Sequence, residues 1–507
     1  MLATIISGAV LGIEAYRVDV EVDLGRGMMV FSIVGLPAGA VCESRVRVKS
    51  ALDNCGYGFP QRRVTVNLAP AHIRKEGTAY DLPIALGILV ADGKIPAEAL
   101  AETVVAGELS LDGRVRPVRG VLALAASARR LGARRIIVPA DNGAEAAVVE
   151  GLDVRAVDHL VDAVEALAGG RPLPRAPVPD ERSAGPDGPL DLVDVRGQSQ
   201  ARRALEIAAA GGHNLLFIGP PGAGKTMLAR RLPTIAPPMS FPERLQASTI
   251  ASVAGLLRPE QPLVHERPFR APHHSVSDVA LIGGGTQARP GEVSLAHHGV
   301  LFLDELPEFR RNALESLRQP LEDGEVVVAR AQATLCYPAR FTLVASMNPC
   351  PCGYAGHPRQ ACGCNPTAVR TYRDRISGPL LDRIDLHVPV EPVDPRALHC
   401  APPGETSSAV RARVIAARAR QHARLGAEGI TCNAHMRPSH INRFCALDDT
   451  GRRLLMAAMD RLALSARAHD RILKVARTIA DLADADAIAP RHLAEAIQYR
   501  QLDRAQS

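Results

Sequence analysis

Tryptophan is absent from this 507-residue chain, and aromatic residues make up only 3% of it. That scarcity argues against a protein that holds single-stranded nucleic acid mainly by stacking bases on aromatic rings. Long apolar runs are missing too, since none reaches the ~18 residues of a membrane-spanning helix. The opening MLATIISGAVLGIEAYRV lacks the basic start of a secretion signal and reads as a strand entering a fold. A cytoplasmic protein is expected. Charge of one sign is also in short supply: 60 basic against 54 acidic residues leave a net +6. So small a surplus permits nucleic-acid contact without demanding it. What the chain does have is apolar material, 47% of its residues, enough for the roughly three domains its length suggests. Its ten cysteines are expected as reduced thiols or metal ligands.

Lysine is rare, with five among the 60 basic residues, and one of them stands in NLLFIGPPGAGKT at 214–226. Leu215–Ile218 has the length and apolarity of a buried strand. Gly219, Pro220, Pro221, Gly222, Ala223, Gly224, Lys225 and Thr226 then fit G-x-x-x-x-G-K-[ST], the phosphate-binding loop between strand and helix. Glycines let successive N–H groups point inward at a triphosphate. Lys225 is placed to bridge the β- and γ-phosphates, and Thr226 to ligate Mg²⁺. About 80 residues on, the run Val300–Leu303 delivers two carboxylates. Asp304 suits the magnesium, and Glu305 suits the attacking water. A third strand, FTLVASMN, ends in Asn348, whose amide can bond both the γ-phosphate and that water.

Around this centre the order of segments resembles the AAA+ ATPases, an α/β phosphate-loop fold. The resemblance places Val195 and Gly197 near adenine. It makes Arg383, in SGPLLDRIDLHV, the arginine finger that completes a neighbour's site in a ring. It also makes Arg467 the sensor arginine of a C-terminal lid, with Arg471 as the alternative. Residues 253–296 and the hairpin 323–341 resemble the helix-2 insert and pre-sensor-1 hairpin of the clade holding magnesium-chelatase ATPase subunits and MCM helicases. In that clade both face the ring pore, where Arg289 and Arg330 could meet a DNA backbone.

The division expected from composition is 1–170, a linker over 171–190 rich in Pro and Gly, an ATPase core over 191–395 and a helical lid over 396–507. The first segment mixes strands and helices. Through KEGTAYDLPIALGIL and GELSLDGRVRPVRG it resembles the proteolytic domain of Lon-type proteases. The family's nucleophilic serine would fall at Ala79 and its lysine near Leu122, so a non-catalytic relative is expected. Cys350, Cys352, Cys362 and Cys364 form C-x-C-x9-C-x-C. Four thiolates in a Gly/Pro-rich loop suit a closed structural zinc site, with a redox pair or free thiols as the alternatives.

Taken along the whole chain, these motifs look like those of the ComM/YifB group of magnesium-chelatase-like proteins. The resemblance implies a homo-hexameric ATP-driven motor that moves branched or single-stranded DNA in its pore, with recombination proteins as further partners, during natural transformation. Two other readings stay open. One is a chelatase-type remodeller of a protein partner, and the other a Lon-like protease.

Overall fold

Valine at every second position of VDVEVDL buries Val18, Val20 and Val22 on one face of a strand, each fully out of solvent. This strand is central to the first of two units in the computed structural model, which describes residues 2–178, 190–285, 289–329, 334–392, 404–462 and 464–500. The first unit takes residues 1–185, 244–264 and 329–336; the second takes 186–243, 265–328 and 337–507. The first is therefore discontinuous, receiving two stretches from inside the segment expected as the ATPase core.

The first unit is built on β1 (Leu2–Leu11), β2 (Glu14–Gly25), β3 (Val30–Val34), β4 (Arg63–Ala69), β5 (Thr103–Val105), a small hairpin of β6 (Glu108–Leu109) and β7 (Val115–Arg116), β8 (Arg135–Pro139) and β9 (Asp153–Val157). Seven of these strands form one mixed sheet in the order β3-β4-β2-β1-β5-β8-β9. β2 runs antiparallel to β1 and β4; the other pairs are parallel. The helix Asp81–Ala91 is buried along its entire length against β1 and β2, which accounts for its unbroken apolar sequence. Its one charge, Asp81, accepts from Arg47 Nε at 2.6 Å, from Ser44 Oγ and from the Leu109 N–H at 3.2 Å.

Two expectations change here. The alternating sequence of 104–120 suggests one hairpin along its whole length, but the hairpin is shorter, because the apolar Val104 and Val105 join the main sheet, Val104 pairing with Ile6. The linker read over 171–190 begins as part of the sheet edge. Ala156 N–H donates to the Pro174 carbonyl, and Ala176 N–H to that of Val154, each at 3.1 Å. Leu173 and Ala176 are buried there. Residues 179–189 lie outside the described residues.

The second unit holds a five-stranded, all-parallel sheet of β10 (Leu215–Ile218), β11 (Phe269–Arg270), β14 (Val300–Leu303), β17 (Thr342–Met347) and β18 (Leu386–Pro389), in the order β11-β14-β17-β10-β18. β12 (Gly283–Gly284) pairs with β13 (Arg289–Pro290). β15 (Glu325–Ala329) and β16 (Thr334–Pro338) supply the two arms expected over 323–341. The region 253–296 is thus not all insertion. Phe269 stacks against Phe302 of β14, ring centroids 5.9 Å apart, and with Arg270 forms the sheet's edge strand. Long helices follow at Ser407–Leu425, Asp449–Leu462, Ala466–Leu482 and Pro490–Gln498. Thr406 and Ser465 cap two of them by accepting from the N–H groups of Ala409 and Ala468.

Candidate functional site

The phosphate loop leaves the carboxyl end of β10, between β17 and β18, where open parallel sheets bind their ligands. Gly219 runs so close to Val390 that a Cβ would stand 2.1 Å from the carbonyl oxygen, so only glycine fits. Gly224 has φ +88° and turns the chain into the helix Lys225–Ala229. The buried Lys225 ammonium donates to the carbonyls of Gly219 (2.6 Å) and Pro220 (3.0 Å) and to Asn348 Oδ1 (3.1 Å). Burial lowers its pKa, while Asp304 and Glu305 act the other way.

β14 and β17 bring the remaining chemistry to the same end of the sheet. Thr226 Oγ1 donates to Asp304 Oδ2 at 2.7 Å, and Ser346 Oγ donates to the other oxygen of the same carboxylate. With Pro221, Gly222, Glu305 and Asn348 these groups line a cavity of about 400 Å³. The donor set suits a triphosphate with its metal: an ammonium for the phosphate oxygens, a hydroxyl and a carboxylate for Mg²⁺. Thr226 and Asp304 would hold that ion, which would offset charge on the β- and γ-phosphate oxygens.

Two members of the site escaped sequence reasoning. Ser346 lies inside the apolar run of β17, two residues before Asn348. His274 lies four residues beyond β11, and its Nδ1 stands 3.3 Å from Glu305 Oε2. Glu305 itself has φ +54°, a left-handed backbone that a non-glycine residue adopts at a cost. The paired histidines of APHHS were the signal, and they become informative only once β11 is known to lie beside β14.

Arg383 and Arg467 do not line the cavity. Arg383 is buried; its guanidinium donates to the Pro379 carbonyl (2.5 Å) and to Glu322. Its own carbonyl accepts from Asn214 Nδ2 at 2.9 Å. Arg467 is exposed on the first turn of Ala466–Leu482. Arg471, the alternative, is engaged with Asp385. Val195 is fully buried in the core of its unit, and Gly197 has φ +66°. Arg289 is exposed on β13; Arg330 lies outside the described residues.

The four cysteines do come together. Their sulfurs all lie within 4.8 Å of one another, with Cys350 Sγ 3.3 Å from that of Cys352 and 3.6 Å from that of Cys362. A tetrahedral zinc–thiolate site has sulfur–sulfur edges of about 3.8 Å, so only a slight opening accommodates the ion. In the first unit the protease-like positions carry no nucleophile or base. The Leu122 N–H donates to Glu145 Oε1 at 2.9 Å, and Ser252 Oγ donates to the same oxygen. Lys75, near Ala79, is spent on the carbonyls of Gly35 (3.1 Å) and Pro70.

Comparison with known proteins agrees with this geometry. The family described as "Magnesium chelatase, subunit ChlI" matches residues 191–398, its C-terminal family matches 404–500, and "Subunit ChlI of Mg-chelatase" matches 20–142. The competence protein ComM of Haemophilus influenzae is 46% identical over 511 residues, covering 99% of this chain and 98% of that protein. The YifB protein of Salmonella typhimurium is 45% identical over 506 residues, with the same coverage. Lon protease 2 of Bacillus subtilis is a distant likeness, 29% identical over 149 residues, or 28% of this chain and 27% of that protein. With full-length identity of this order joined to a phosphate loop, a paired-carboxylate strand and a parallel sheet, the chain belongs to the ComM/YifB family of magnesium-chelatase-like proteins.

Proposed function

We propose that this chain is a ring-forming ATPase, a hexamer, that couples hydrolysis to movement along branched DNA and so helps incoming DNA recombine during natural transformation. The observation that carries the ATPase part is the convergence of Lys225, Thr226, Asp304, Glu305 and Asn348 on one cavity. In this reading Asp304 and Thr226 hold magnesium, and Glu305 orients the water. Asn348 senses the γ-phosphate, and Arg467 reaches it from the lid. Arg383 acts on the neighbouring subunit's nucleotide after leaving Glu322. The competence role is supported by the full-length likeness to ComM. Exposed Arg289, with Arg330, would meet the DNA backbone in the pore. One zinc ion held by the four cysteines would fold the loop between Asn348 and the helix Pro366–Arg373. The first unit, with Ala79 and Leu122 at the protease-like positions, serves assembly or DNA guidance rather than peptide cleavage.

The test is the ATPase rate with and without four-way or forked DNA. Stimulation by branched DNA is expected, with binding that weakens steeply as salt rises because phosphate contacts release counter-ions. The match to magnesium-chelatase subunits supports one other reading, a motor that remodels a protein partner. An ATPase indifferent to DNA would favour that reading and remove the first.

A further inference from the structure

The cysteine loop does more than interrupt the chain between two catalytic elements. It leaves β17 at Asn348 and Pro349, passes Cys350 and Cys352, and returns through Cys362 and Cys364 to Asn365. Asn365 caps the helix Pro366–Arg373 by accepting from the Ala368 N–H at 2.7 Å. At the far end of that helix, Arg373 donates back to the Pro349 carbonyl at 3.3 Å. The segment from Pro349 to Arg373 is therefore closed on itself next to Asn348.

Inside the loop, Gly353 touches the phosphate loop. It has φ +86°, and a Cβ there would stand 2.7 Å from Pro221 Cδ and 3.9 Å from Asn348 Cγ. The Gly353 N–H donates to the Cys350 carbonyl at 2.9 Å, so the contact is held by the first cysteine turn. From 350 to 364 only Cys350 and Gly353 are buried. The loop has no apolar core of its own to fix this conformation, and the sulfur cluster is what can fix it.

We propose that the four-cysteine cluster is a metal-dependent positioning device for hydrolysis: a thiophilic divalent ion such as zinc, bound by Cys350, Cys352, Cys362 and Cys364, presses Gly353 against Pro221 and so holds Asn348 at Lys225. The proposal rests on the reading of the cavity as an ATP site. Metal loss frees the loop and removes the contact between Gly353 and Pro221. Nucleotide still binds, because the phosphate loop is intact. Hydrolysis falls, because the amide that orients the γ-phosphate and the water is no longer held in place. Gly353, like the cysteines, is a positioning residue that acts through Asn348.

Three full-length proteins separate the steps: wild type, Gly353→Ala, and the double variant Cys362→Ser/Cys364→Ser. For each, zinc per subunit, nucleotide affinity and kcat are measured. Gly353→Ala is expected to keep the zinc and the nucleotide affinity of wild type while kcat falls about 10- to 100-fold, the cost of a displaced catalytic group. The double variant is expected to lose zinc, keep nucleotide affinity and fall to a similar kcat. Full kcat in Gly353→Ala, or full kcat in a zinc-free double variant, would overturn the proposal. A loss of nucleotide affinity equal to the loss of kcat would overturn it too, since that marks general collapse rather than misplacement. A wild-type chain that purifies without metal yet hydrolyses ATP sinks the zinc reading itself. A wild-type chain loaded with zinc but without ATPase activity sinks only the ATPase reading on which the proposal stands.

Discussion

A carboxylate taken wholly out of water is tolerable where its oxygens find donors, and Asp385 meets that condition. One oxygen accepts from His213 Nδ1 at 3.1 Å and from the Asn214 N–H at 3.2 Å; the other accepts from Arg471. Burial pushes its pKa up, but Arg471 and His213 outweigh this and hold it well below the usual carboxylate range. The same bond separates two arginines that the sequence left open: Arg471 is committed to Asp385, whereas exposed Arg467 is in no ion pair among the described residues. Asp385→Asn is expected to cost about 3–5 kcal/mol, because it leaves the Arg471 charge in place without its counter-charge. Urea unfolding followed by circular dichroism checks this; a variant as stable as wild type would mean that the negative charge is dispensable.

At the scale of elements, the approach to β14 carries a pH dependence. His297 and His298 pack against each other as tilted rings, centroids 3.9 Å apart, just ahead of Val300. Burial drives His297 down to about 2. It drives His298 to about 4, with Arg267, Arg340 and His435 adding to the effect and Glu243 opposing it. Both imidazoles are therefore neutral when folded, whereas in the unfolded chain each takes a proton near pH 6.5. Their contribution to stability is complete above about pH 6.5 and is lost as pH falls toward the folded values, at about 1.4 kcal/mol per pH unit for each proton. Stability should fall from pH 6.5 to 4, and His298→Gln should remove about one proton's worth of that slope; urea midpoints across the range measure it. The strand β14 itself was legible in the sequence, as a four-residue buried run ending in two carboxylates. So was the helical character of the C-terminal part, expected over 396–507 and found in the helices Asp449–Leu462, Ala466–Leu482 and Pro490–Gln498. Long periodic patterns and dense motifs survive without knowledge of neighbours. β11 was not legible, since two residues carry no period and Phe269 becomes a strand residue only against Phe302. Arg383's engagement with Glu322 was hidden for the same reason, the partners lying 61 residues apart.

At the scale of the molecule, the proposed ring has to overcome that engagement. Arg383 is held within its own subunit by Glu322 and the Pro379 carbonyl, and its Nε has no partner among the described residues. A guanidinium bound on two sides and unpaired at its buried Nε can be drawn out by a stronger anion, and a triphosphate on an adjoining subunit is one. If Arg383 serves the neighbour, then Arg383→Ala and Glu305→Gln each abolish turnover when alone. The first leaves every site without its arginine, and the second leaves every site without the group that orients water. Mixed before assembly, they should complement. Where an Arg383→Ala subunit offers its intact Glu305 to the arginine of a Glu305→Gln neighbour, one whole site is rebuilt at their junction. ATP turnover in the mixture above the sum of the separate proteins, rising with protein concentration as rings form, is the expected result. A mixture no more active than its parts, with rings verified by sedimentation, would place Arg383 in its own subunit's structure and leave no shared site at that junction.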